Sequence, residues 1–176
     1  MSIVAEKITN KLERKNLTRY EAGKLLKVNL QSFYHMVNNE RPFTEKVIKK
    51  ILPILEVSRE EFESWIVADK YSKEVLQIAI ETKKNSRMGC QPIKKILTMK
   101  LDEILQSKNL SRTALSKLTG NSQSGLNRAI TGKEALSKKL MQKISTALEI
   151  PENEIQSWVI ADKYPLKVLE LAVNIK

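Results

Sequence analysis

Four side chains in the second half of the chain, Gln123, Ser124, Asn127 and Arg128, are of types that pair with base edges. Gln pairs bidentately with adenine N6 and N7, Arg with guanine O6 and N7, and Ser with either purine. At helical pitch the four fall on one side, while Leu126, Ala129 and Ile130 fall on the other. An exposed face of this kind suits the DNA major groove. An amphipathic helix whose polar face is merely solvated has the same pattern, and these residues alone leave both readings open.

The surrounding stretch, Leu110 to Gly132, predicts the elements that would position the face. Ser111 caps a first short helix, Gly120 supplies the left-handed residue that ends it, and Ser122 caps the second. Leu115 and Leu118 are expected to point inward from the first helix.

The whole chain agrees with a polyanionic partner. Its 176 residues include 31 Lys and Arg against 20 Asp and Glu, a net charge of +11, with a pI near 9.7. Basic and acidic residues are interspersed, which predicts a folded basic face and not a disordered polybasic tail. Nucleic acid is the leading partner and an anionic membrane surface the lesser one. One cysteine, Cys90, excludes an intramolecular disulfide, and one histidine, His35, excludes a zinc site of Cys and His ligands. The beginning of the sequence carries no basic leader followed by an apolar run, and no stretch approaches the roughly 20 apolar residues of a membrane span. A cytoplasmic location is expected.

The chain repeats itself. Ser64-Trp65-Ile66-Val67-Ala68-Asp69-Lys70-Tyr71 recurs 93 residues later as Ser157-Trp158-Val159-Ile160-Ala161-Asp162-Lys163-Tyr164. At that offset Lys15-Asn16-Leu17 matches Lys108-Asn109-Leu110, and about 22 of 76 paired positions are identical. The expectation is two copies of one fold: residues 1–83, a linker at 84–93, and residues 94–176.

Each copy reads as about six helices with no sheet. In the first, Thr18-Arg19-Tyr20-Glu21 and Ser58-Arg59-Glu60-Glu61 are capping boxes, Asn29 caps a third helix, and Ala22, Leu25 and Leu26 are expected inward.

Short helices with a helix-turn-helix as the second and third resemble the Cro and lambda-repressor type of DNA-binding family, also termed XRE-like. Ser122-Gln123-Ser124-Gly125, followed by Gly132 and Ala135-Leu136, is similar to that family's recognition helix and the loop after it. The resemblance implies an all-α fold of two tandem lambda-repressor-like domains. It also implies base reading by Gln123, Ser124 and Arg128, with Asn127 beside them. Arg112 stands where the family usually has Gln, which suggests a phosphate contact. Lys108, Lys117 and Lys133 are further candidates for phosphate, contributing affinity without sequence information.

The resemblance is weaker in the first copy, where Lys27 replaces the turn Gly and Gly23 stands where the family has Ala. Its candidate DNA contacts are Arg19, Leu30, Gln31, Tyr34 and His35, and only Gln31 is a typical base reader. Residues 1–83 carry 15 basic and 12 acidic side chains, against 14 and 8 in residues 94–176.

Trp65, Tyr71, Trp158 and Tyr164 lie in the best-matched stretch, either as core or as an inter-unit or dimer contact. In the latter case one chain would imitate a repressor dimer, or two chains would join. Asp69-Lys70 and Asp162-Lys163 read as capping or salt-bridging pairs, since neighbours on a helix point apart and no nucleophile accompanies them. Cys90 reads as a free thiol in the linker. Together these features predict a DNA-binding regulator, most simply a repressor, needing no cofactor. The alternative is a protein-binding module, an antirepressor or inhibitor from a mobile element that keeps the fold and uses its first unit against a protein.

Overall fold

The computed structural model describes residues 2–38, 40–86 and 95–176. Among them the fold is all-α, with twelve helices and no strand. These are α1 (Ile3–Glu13), α2 (Arg19–Leu26), α3 (Leu30–Val37), α4 (Glu45–Leu55), α5 (Arg59–Lys70), α6 (Lys73–Ser86), α7 (Ile96–Ser107), α8 (Arg112–Thr119), α9 (Gln123–Ile130), α10 (Lys138–Leu148), α11 (Glu152–Lys163) and α12 (Leu166–Ile175). Each of α7 to α12 begins 93 residues after its counterpart among α1 to α6. No helix among the described residues is long and apolar enough to cross a membrane.

The helices form two compact units, residues 1–73 with 167–176, and residues 74–166. This division differs from the expected one at 83 and 94: α6 belongs with α7 to α11, and α12 with α1 to α5. An amphipathic period predicts an apolar face of Val75, Leu76, Ala79 and Ile80 without predicting against what it packs; the first three are buried and Ile80 is half-buried. Here α6 is anchored by Lys83, whose Nζ donates to the backbone carbonyls of Ala161 and Tyr164 at the end of α11. Residues 84–86, expected in the linker, are the last of α6. The rest of the expected linker, with Cys90, lies outside the described residues.

In the first unit Val4, Ile8, Leu12, Leu26, Phe33, Ile51, Leu55, Phe62 and Trp65 form the core, and Ile175 of α12 packs against it. The ring of Phe62 meets Phe43 edge-on at 5.1 Å and Trp65 at 5.8 Å. The second unit buries Leu101, Leu115, Leu126, Ile144, Leu148, Ile155 and Trp158. Trp65 and Trp158 are each 2% exposed, so neither indole has surface left for a second chain. Tyr71 and Tyr164 are half-buried.

The repeated octapeptide is structural. Asp69 Oδ1 accepts from the backbone N–H of Ile3 at 2.8 Å, and Asp162 accepts from Ile96 at 2.8 Å and Leu97 at 3.1 Å. Each carboxylate thereby satisfies the open end of its unit's first helix, a cap worth about 1 kcal/mol. Ser64 and Ser157 are buried and donate to Glu61 and Glu154 carbonyls one turn back.

Two leucines expected inward are exposed, Leu25 at 58% and Leu118 at 59%. In α2 the buried stripe is Ala22, Gly23 and Leu26, and in α8 it is Leu115, Ser116 and Thr119. A turn of 100° per residue carries the residue preceding Leu26 or Thr119 off that stripe.

Candidate nucleic-acid interface

The helix pair α8–α9 is fixed at every end. Ser111 Oγ accepts from Ala114 N at 3.1 Å and Ser122 Oγ from Gly125 N at 3.2 Å. Between them Gly120 ends α8 at φ 63°, ψ 31°, a left-handed conformation that glycine adopts without steric cost. Lys143 Nζ donates to the Thr119 carbonyl at 2.7 Å, covering the last turn of α8. At the far end of α9, buried Thr98 donates to the Ile130 carbonyl at 2.9 Å and Lys95 to Gly132 O at 3.2 Å. Leu126, Ala129 and Ile130 are buried, which turns the other side of α9 outward.

On that side Gln123, Ser124 and Arg128 are exposed and Asn127 is half-buried. Arg128 Nη2 lies 2.6 Å from Glu134 Oε1, an exposed pair worth little and readily exchanged for a base edge or phosphate. Lys117 and Lys133 are exposed, and among the described residues neither has an acidic partner.

The structure gives two of the expected phosphate residues other partners. Arg112 is half-buried and donates to Asp102 through Nε and Nη2 at 2.7–2.9 Å, while Nη1 reaches Asn127 Oδ1 at 3.4 Å. Its charge is therefore matched by a carboxylate of α7. Lys108 Nζ lies 2.8 Å from Glu149 Oε2 at the left-handed end of α10, and this hydrogen bond is the main cause holding the Glu149 carboxyl below the usual carboxylate range. Lys15 pairs with Glu56 in the same way in the first unit.

The corresponding pair α2–α3 has a full capping box at Thr18 and Glu21 and a side-chain cap at Asn29. Lys27 adopts φ 53°, ψ 46° where the second unit has Gly120, a left-handed conformation costing a side chain about 1 kcal/mol. Arg19 donates to Thr9 Oγ1 at 2.6 and 2.9 Å and to the Ala5 carbonyl at 3.3 Å, with neutral acceptors where Arg112 has Asp102.

Leu30, one of the candidate DNA contacts, is half-buried over Gly23: a Cβ on Gly23 would lie 2.7 Å from Leu30 Cδ2. Gln31 and Tyr34 are exposed, and half-buried His35 is paired through Nδ1 with Glu40.

The reading of the residues missed Asp102, Glu134 and the fit of Leu30 onto Gly23. Asp102 left a trace: it precedes Arg112 by ten residues, as Thr9 precedes Arg19.

Comparison with known proteins gives one match. Neither the curated proteins nor the solved structures compared with the chain yield a relative. A family model described as helix-turn-helix matches residues 101–155, which run from Leu101 in α7 to Ile155 in α11 and contain the whole α8–α9 pair. Residues 101–155 are a helix-turn-helix domain of the XRE family, and such a domain makes DNA the expected partner.

Proposed function

We propose that the chain is a sequence-specific double-stranded DNA-binding transcriptional regulator, a repressor in its simplest form. It enters the major groove with α9 and acts by occupying a promoter, without a catalytic step, in the cytoplasm. The observation carrying this reading is the capped α9 itself, which turns Gln123, Ser124 and Arg128 outward inside a helix-turn-helix domain. Each offers hydrogen bonds that a base edge can complete. Lys117 and Lys133 supply phosphate contacts, while Gln123 and Arg128 supply the discrimination.

The first unit is, on this proposal, a second copy of the fold. Its support is the common offset of 93 residues between helix starts, with left-handed residues at Asn16, Lys27 and Glu56 matching Asn109, Gly120 and Glu149. Its face favours a different use: Leu30 is packed on Gly23, and Tyr34 and His35 are not typical base readers. Specificity therefore rests with the second unit, and the first binds phosphate through Arg19 or engages a protein.

Gel shifts on a duplex selected by the intact protein test the reading. Gln123→Ala or Arg128→Ala is expected to weaken binding by about 1–3 kcal/mol and to relax the preference at one position. Unchanged binding by both variants would contradict it.

A further inference from the structure

One hydrogen-bonded chain crosses three helices of the second unit: Asp102 in α7, Arg112 at the start of α8, and Asn127 in α9. A guanidinium has donors only, so the atom of Asn127 that faces it is the carbonyl oxygen, and the amide NH2 is turned away. Asp102 holds the guanidinium in a fork of three contacts of 2.7–2.9 Å, which removes the freedom a surface arginine ordinarily has.

The arrangement changes what Asn127 can read. Asparagine recognises adenine by accepting from N6 while donating to N7. With its oxygen drawn toward a cation, Asn127 presents chiefly donors. Donors match the guanine edge, where N7 and O6 both accept, and mismatch adenine N6 and cytosine N4, which themselves donate. Building on the DNA-reading role of α9, we propose that Arg112 is a positioning residue, held by Asp102, that makes Asn127 a reader of guanine. The first unit has no such device: Thr9, Arg19 and Tyr34 occupy the matching positions.

The test uses the full-length protein and a set of duplexes differing only at the base pair whose preference Asn127→Ala abolishes. Wild type is expected to prefer guanine there, about tenfold over adenine. Arg112→Ala should erase or invert that preference while leaving the salt dependence of binding unchanged, because a guanidinium already paired with Asp102 releases no counterion from DNA. Arg112→Lys should not restore it, since an ammonium cannot hold Asp102 and Asn127 as a fork.

Asp102→Asn provides a second variant that keeps the shape of α7. It should weaken the guanine preference and steepen the salt dependence by about one ion, as the freed guanidinium finds a phosphate. Uniform weakening of every duplex by Arg112→Ala, with the salt dependence flattened by about one, would make Arg112 a phosphate contact and overturn the inference while leaving α9 as the reader. Failure of the wild-type protein to select any sequence would overturn the DNA-reading role and this inference with it.

Discussion

The two helix-turn-helix pairs differ at their faces far more than in their frames. The first position of α9 is Gln123 and the residue seven before it is Ser116; the same positions in α2–α3 are Leu30 and Gly23. Gln123 is exposed, whereas Leu30 lies so close to Gly23 that a Cβ there would come within 2.7 Å of it. At the last face position Arg128 is held by an exposed pair with Glu134, and His35 by Glu40. A frame set by caps, left-handed turns and a buried Trp thus tolerates replacement of the groups presented on it. Stability is carried by the stripe facing the core, and chemistry by the stripe facing away.

The comparison makes the two faces unequally sensitive to substitution. The largest effect, a coupling, is expected at Gly23. Gly23→Ala displaces Leu30 Cδ2, the movable end of a half-buried side chain, while Ala gains about 1 kcal/mol over Gly inside a helix. The thermal midpoint of the first unit should therefore change little in wild type and rise in a Leu30→Ala background, a coupling of about 1–2 kcal/mol. Equal effects of Gly23→Ala with and without Leu30 would show that the close approach has no cost.

Smaller effects, of opposite sign in the two units, are expected at the turn. Lys27→Gly should stabilise the first unit by about 1 kcal/mol, and Gly120→Ala should destabilise the second by a similar amount, because φ near 60° is cheap only without a Cβ. Chemical denaturation with a probe in each unit checks both.

The smallest effect concerns acid. Lys15 and Lys108 hold the carboxyls of Glu56 and Glu149 below their usual range. A carboxyl depressed in the folded state adds stability above its unfolded pKa of about 4.3, and that contribution is lost as pH falls through the lower folded value. Melting curves of Glu149→Gln and wild type should therefore differ at neutral pH and converge as pH falls through the lowered folded value. A constant difference would mean that the pair is not the source.

Much of this architecture is legible in the residues. The capping box at Thr18, the caps at Asn29, Ser111 and Ser122, the glycine turn and the repeat offset all act locally, and short-range chemistry fixes them. The fate of α6 and α12 is not local: their apolar stripes require burial without naming a neighbour. Leu25 and Leu118 misled because a leucine beside a stripe and one within it differ by a single step of the helix.

In the candidate site, Gln123, Ser124 and Arg128 are exposed as their spacing implied. The pairs of Arg112 with Asp102 and of Lys108 with Glu149 were not legible, because an ion pair made across ten or 41 residues leaves no local signature. Trp65 and Trp158 carry the strongest repeat signal and are buried, which accounts for their presence in both copies.

The central claim, that α9 reads the sequence, is tested most directly by random-oligonucleotide selection on the intact protein and on a Gln123→Ala, Arg128→Ala variant. The account predicts one enriched motif for the wild type, loss of that motif in the variant, and its survival when Gln31 and Tyr34 are replaced by alanine instead. A motif that survives the loss of Gln123 and Arg128 but disappears with Gln31 and Tyr34 would assign the reading to α3 and contradict the account.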